Sequence, residues 1–115
     1  MHKFKTTNIK GKEYVEVNER IKFFRTCADY KGYSLLSEIV SFDDASCIVK
    51  ATITDAEGKP IANGYAQETK AGNMINKTSM LENCETSAWG RALGNLGIGI
   101  DTSIATAEEV GQAIA

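Results

Sequence analysis

The sequence predicts an α+β domain, mainly β with helices, in which one long helix packs on an antiparallel sheet. Three observations carry this. Residues 33–42, 46–55 and 60–69 read as consecutive strands divided by turn chemistry. Residues 78–99 (TSMLENCETSAWGRALGNLGIG) read as one helix, with apolar residues recurring every three or four positions. The 115 residues, 43 % of them hydrophobic, suffice for a single domain whose core needs neither disulfide nor metal.

The elements follow in chain order. Met1–Lys12 is polar, with His2, Lys3, Lys5, Lys10 and Lys12, and reads as a mobile or edge arm. Tyr14–Val17 alternates and suits a short strand. Asn18 is a good N-cap, and Ile21, Phe24, Cys27 and Ala28 then form one stripe of a helix from Glu19 to about Tyr30, with Arg20, Lys22 and Arg25 facing elsewhere. Lys31-Gly32 ends it. In the strand Tyr33–Phe42, Leu36, Val40 and Phe42 share a side with Glu38, and Leu35 and Ile39 share the other with Ser37 and Ser41. Asp43-Asp44-Ala45 is a turn. Pro60 opens the strand that ends at Thr69, a place where a missing N–H is tolerated.

A two-residue loop at Glu57-Gly58 would set the register of the last two strands. Lys50 then faces Tyr65, Thr52 faces Asn63, and Ile48 faces Gln67, all on one side. On the other side Val49 meets Ala66, Ala51 meets Gly64, and Ile53 meets Ala62. This second face is small and apolar, as is the Cys84, Ala88, Ala92 face of the long helix, so the two are expected to pack together. Ser79 and Glu82 have capping-box spacing at the helix start, and Gly94 and Gly97 offer places to stop. Lys70–Lys77 is a connection. Thr106 and Glu109 again have capping-box spacing, for a last helix from Ala107 to about Ile114. A fifth strand is sought in residues 1–12 or 70–77; without it in the sheet, a sheet-plus-helix annealing-protein fold is the better reading.

The net charge is −2, so no bulk attraction to nucleic acid follows from it. Residues 1–50 carry nine Lys/Arg against seven Asp/Glu, and residues 51–115 four against eight, which gives a basic front and an acidic back or ordinary scatter. Met1–Lys12 lacks the apolar core of a signal peptide, no apolar run approaches the ~20 residues that span a membrane, and Cys27, Cys47 and Cys84 are widely spaced. A cytoplasmic protein with reduced thiols is expected. Enzyme chemistry is disfavoured: His2 is the only histidine, no metal-ligand cluster is spaced for zinc, and Glu82 with Glu85 is accounted for by the helix start. Gly94, Gly97 and Gly99 follow a helix rather than a strand and lack a Walker lysine, so no nucleotide or other cofactor is expected.

Nucleic-acid chemistry fits better. Single-strand binders combine cations for phosphates with aromatic faces for bases. Lys50 beside Tyr65, with Thr52, Asn63 and Gln67, supplies both on one strand face. Tyr33 and Lys31 begin a neighbouring strand, Lys70 and Lys77 sit on the connection, and Arg91 on the long helix pairs with Glu85 or with a phosphate. A Lys–Tyr cross-strand pair on a solvated sheet is the bland alternative. Phe23, Phe24 and Trp89 read as core.

Glu82–Gly94, with its ETSAWGRALG run, then Gly97-Ile98-Gly99-Ile100-Asp101 and Ile104–Val110, together with Tyr14–Ile21, resembles the phage-encoded single-stranded-DNA-binding proteins of lactococcal and streptococcal phages. The ETSAWGRALG run is also similar to a motif of phage annealing and recombination proteins. The resemblance implies an OB-like five-stranded barrel with the long helix on its sheet, cooperative binding of single-stranded DNA without sequence preference, and cooperation with a RecA-type recombinase. Cooperative coating in turn implies a homo-oligomer. The rivals are a strand-annealing protein and a module that engages a host protein without DNA affinity.

Overall fold

The computed structural model describes residues 3–70, 77–100, 106–108 and 110. The chain opens with a hairpin of β1 (Thr6–Ile9) and β2 (Lys12–Val15), closed by Lys10 and Gly11. Both turn residues have positive φ, 51° and 85°, as a two-residue hairpin of matching twist requires. The terminal segment is therefore an ordered hairpin rather than an arm. Thr6 and Asn8 donate to Glu13, which holds its carboxyl below the usual range, and Thr7 donates to Glu16 at 2.8 Å.

Helix α1 (Val17–Thr26) begins two residues before the expected Glu19. Asn18 is not its cap: the Val17 N–H donates to Glu108 Oε1, 91 residues away, at 3.0 Å. A single 3-10 turn, Ala28–Tyr30, follows. Strands β3 (Ser34–Phe42), β4 (Ser46–Thr54) and β5 (Pro60–Thr69) form an antiparallel sheet in the order β3-β4-β5. Helix α2 (Lys77–Leu96) completes the core. It starts before Ser79, so the Ser79–Glu82 pair lies within the helix and is not its cap.

The β4–β5 register is as expected: Lys50 pairs with Tyr65, Thr52 with Asn63, Ile48 with Gln67, and Ala51 with Gly64. The loop is longer than two residues. Asp55 Oδ1 accepts from the Glu57 and Lys59 N–H groups, Gly58 takes φ 85°, and an irregularity between Ile53 and Thr54 absorbs the difference. At the other end Asp43 Oδ1 accepts from Ala45 and Ser46, forming the expected turn. A bulge between Ile39 and Ser41 rotates the end of β3, so Phe42 pairs with Cys47 on the helix side instead of sharing a side with Leu36 and Glu38.

Helix α2 lies on β4 and β5. Met80, Cys84, Ala88 and Ala92 are fully buried against Cys47, Val49, Ala51, Ile53 and Ala66. The approach is close enough that a Cβ on Gly64 would stand 2.5 Å from the Ala92 nitrogen. The α2 C-terminus is a Schellman motif: Ile98 N–H donates to Leu93 O, Gly97 N–H to Gly94 O, both at 3.0 Å, with Gly97 at φ 110°. Helix α1 packs beside α2, and Phe24 enters the same core. Arg20 was expected to face away, yet it is fully buried. Its Nη1 donates to Gly90 O at 2.7 Å and its Nη2 to Gly99 O at 3.1 Å, tying α1 to the middle and the exit of α2.

The OB-like five-stranded barrel is corrected. Among the described residues there are five strands, but they form separate sheets of two and three strands, with the helices on one face of the larger. The β1–β2 hairpin turns back on itself and supplies no pairing that would close a barrel. The expected last helix is described only in part: Val110 N–H donates to Thr106 O at 3.1 Å, while Glu109 and residues 111–115 lie outside the described residues, as do His2 and residues 71–76 of the connection. No described helix is long and apolar enough to cross a membrane.

Candidate nucleic-acid interface

Among the described residues both helices lie on one side of the three-stranded sheet, and its other face is left open. Strand alternation decides what stands there. From β4 it is Ile48, Lys50 and Thr52; from β5 Asn63, Tyr65 and Gln67; from β3 Leu36 and Glu38. Along β4, each of these alternates with a buried neighbour that faces α2. Five of the expected residues, Lys50, Thr52, Asn63, Tyr65 and Gln67, thus share one surface.

Lys50 Nζ lies 5.5 Å from the centroid of the Tyr65 ring, in cation–π range. Tyr65 is 49 % exposed, and Asn63 and Gln67 on either side are exposed too. Glu38 on β3 and Tyr65 on β5 are the ladder partners of Lys50, so a carboxylate-bearing strand and an aromatic-bearing strand flank it. The backbone carbonyl of Asn63 accepts from Asn95 Nδ2 of α2, which leaves the Asn63 side chain on the open side.

The other five expected residues lie elsewhere. Tyr33 packs with Phe24 and Tyr30 in a group of rings that continues through Phe23 to Phe4, with centroids 5.3–6.4 Å apart. Burial raises the Tyr30 hydroxyl above its usual pKa within this group. Lys31 is exposed beside Tyr33, on an open depression of about 360 Å³ that Arg25 and Tyr30 also line. Lys70 is exposed at the far end of β5, its N–H donating to Ala45 O. Arg91 is exposed on α2, in the helix layer and beside Gly64. Lys77 is the first residue of α2, and its side chain lies outside the described ones. Ile48 stands on the open face opposite Gln67, as expected; Leu36 and Glu38 join it there through the β3–β4 register, which sequence alternation alone does not supply.

Among the described residues no group of three His, Cys, Asp or Glu side chains is placed to hold an ion. Cys84 is shielded: its Sγ donates to Ala66 O at 3.2 Å, and burial pushes its thiol up to about 12.

A family model described as Slr1353 N-terminal dsRNA-binding domain-like matches residues 21–96, from within α1 to the end of α2. The chain belongs to this family. No curated protein and no solved structure matches the chain. The resemblance to phage single-stranded-DNA-binding proteins is thereby corrected, because the Slr1353-type domain is a different family. The structure gives a physical reason. Within the ETSAWGRALG run, Ala88 and Ala92 are fully buried on the sheet, Ser87 is buried, and Gly90 lies where a Cβ would meet Val17 and Thr106 at 2.8–2.9 Å. The small residues of the motif that carried the resemblance thus serve packing, Ala88 and Ala92 against the sheet and Gly90 against Val17 and Thr106.

Proposed function

We propose that this domain binds nucleic acid along the open face of its sheet, and that it takes single-stranded DNA without sequence preference and performs no chemical step. The observation that carries the reading is the Lys50–Tyr65 pair at the centre of that face. A half-exposed ring offers a flat surface on which an unpaired base stacks, and the neighbouring ammonium meets the adjoining phosphate. Thr52, Asn63 and Gln67 donate and accept in either sense, which suits any base. Membership in a family described as dsRNA-binding domain-like supports nucleic acid as the ligand class. The same description favours a second reading, duplex RNA held by its shape and backbone. Stacking on Tyr65 favours unpaired bases, since duplex bases keep their faces against each other. A recombinase partner was implied by the phage resemblance alone and falls with it.

The test is anisotropy of a labelled oligothymidylate titrated with wild type and variants at two salt concentrations. Tyr65→Ala weakens binding by ~1–3 kcal/mol, the usual worth of one stacked base. Lys50→Gln lowers the salt slope by about 0.7, one phosphate contact on a single strand. Glu38→Gln strengthens binding, because the opposing carboxylate is removed. A folded Tyr65→Ala protein that binds like wild type excludes this face.

A further inference from the structure

Four of the seven large apolar side chains that stand exposed among the described residues lie on β3: Leu36 and Ile39 at 54 %, Val40 at 51 % and Phe42 at 42 %. They surround the strand rather than occupy one side. Leu36 is on the open face, Ile39 and Phe42 are on the helix side, and Val40 is in the bulge between. Among the described residues β3 pairs with β4 alone, so its outer edge is a row of unpaired N–H and C=O groups nine residues long. Helix α2, centred over β4 and β5, reaches β3 chiefly through Glu85, which accepts from Ser37 Oγ at 2.6 Å. Natural edge strands are guarded by Lys, Pro, brevity or a bulge, and the bulge of β3 falls beyond Ile39, which leaves Ser34–Ile39 regular. This one has no Lys and no Pro, and its single charge is Glu38.

We propose that β3 is the interface of a two-fold dimer, in which the edges of two copies pair antiparallel to form one six-stranded sheet. A second copy fits for two reasons. The first is area: the four side chains together leave roughly 350 Å² of apolar surface per copy, at the scale of a functional patch. Leu36 and Ile39 lie within the regular stretch and Val40 and Phe42 at its end, so two copies with their strand backbones fall at or below ~1,200 Å², the size of a weak association. The second is self-complementarity. Residues facing each other across the axis must share a side of the sheet, so only registers centred on a residue are allowed. One centred on Glu38 sets two carboxylates against each other, and one centred on Leu36 leaves Ile39 unpaired. A register centred on Ser37 pairs Leu35 with Ile39 of the partner subunit and Leu36 with Glu38 of the partner subunit, using the whole regular stretch before the bulge. Its axis is perpendicular to the sheet. Both helix layers then lie on one side, and the two Lys50–Tyr65 faces merge on the other.

Sedimentation equilibrium of the protein without nucleic acid, over roughly 10–300 µM, where an interface of this size associates, tests the proposal independently of the ligand reading. Wild type sediments as a dimer in the upper part of the range. Ile39→Lys sediments as a monomer, and at concentrations below the dimer range its melting curve matches wild type, since Ile39 is more than half exposed. Leu36→Lys associates more tightly than Leu36→Glu, because position 36 meets the partner's Glu38. A wild type that stays monomeric, assembles beyond two, or dimerises as well with Lys at position 39 overturns the interface. Equal association of the two Leu36 variants overturns the register.

Discussion

Gly64→Ala tests the helix–sheet contact on which the open face depends. The added Cβ would lie 2.5 Å from the Ala92 nitrogen, 2.8 Å from Arg91 Cβ and 2.9 Å from the Arg91 carbonyl carbon. Two of these are backbone atoms of a hydrogen-bonded helix, so no rotamer change relieves the contact. Restoring ordinary contact requires α2 to retreat by about 1 Å, and a gap of that size forfeits a quarter to a half of the dispersion energy along the facing residues. Those residues, Cys84, Ala88 and Ala92 against Val49, Ala51 and Ala66, are too small to refill it. The cost is about 2–3 kcal/mol, within the range of overpacked cores. At about 4 °C per kcal/mol for a domain of this size, the melting temperature falls by roughly 10 °C. Urea unfolding followed by circular dichroism measures the loss. A change below about 0.5 kcal/mol, the scatter of surface substitutions, would refute the close approach.

Other outcomes follow from the same packing. Arg20→Met keeps the length of the side chain but leaves the Gly90 and Gly99 carbonyls without their donor, and should lower stability by about 2–4 kcal/mol in urea unfolding. Cys84 should react with a thiol reagent only on unfolding. Because its folded pKa of about 12 stands above the ordinary 9.0, the fold favours the protonated thiol. The stability this represents is complete below pH 9 and is lost as pH rises toward 12; Cys84→Ala should flatten that alkaline limb of the stability profile. The Tyr65, Lys50 and Glu38 variants test the binding face, and the Ile39 and Leu36 variants the dimer edge, by the measurements already described.

Much of the β4–β5–α2 core was legible in the sequence because two local patterns agree. The small residues of β5, including Gly64, and the small face of the helix make sense only against each other, and strand alternation then throws Lys50 and Tyr65 onto the opposite side. What joins distant elements was not legible. Arg20 reads as a surface residue of an amphipathic helix until Gly90 and Gly99 are seen above it. Asn18 has the chemistry of a cap, but Glu108 reaches the first turn from the other end of the chain. Tyr33 lies on the helix side, one residue before β3, and joins a ring cluster whose members come from three segments. Met1–Lys12 reads as a mobile or edge arm because its polar residues hide the β1–β2 pairing, although Gly11 supplies the positive φ its turn needs. Whether a strand joins a neighbouring sheet depends on edges that local sequence does not specify, so four strands and a fifth sought in residues 1–12 or 70–77 read as the barrel that the resemblance implied.

The central claim is that the open face binds unpaired nucleic acid. It is tested most directly by displacing a labelled oligothymidylate from wild-type protein with unlabelled single-stranded DNA and, separately, with duplex RNA of equal nucleotide content at one salt concentration. The account predicts that single-stranded DNA displaces the probe at concentrations at least about tenfold lower than duplex RNA, a difference of about 1.4 kcal/mol, the worth of one stacked base. Stronger displacement by duplex RNA, or no binding of the probe even at low salt, would contradict it.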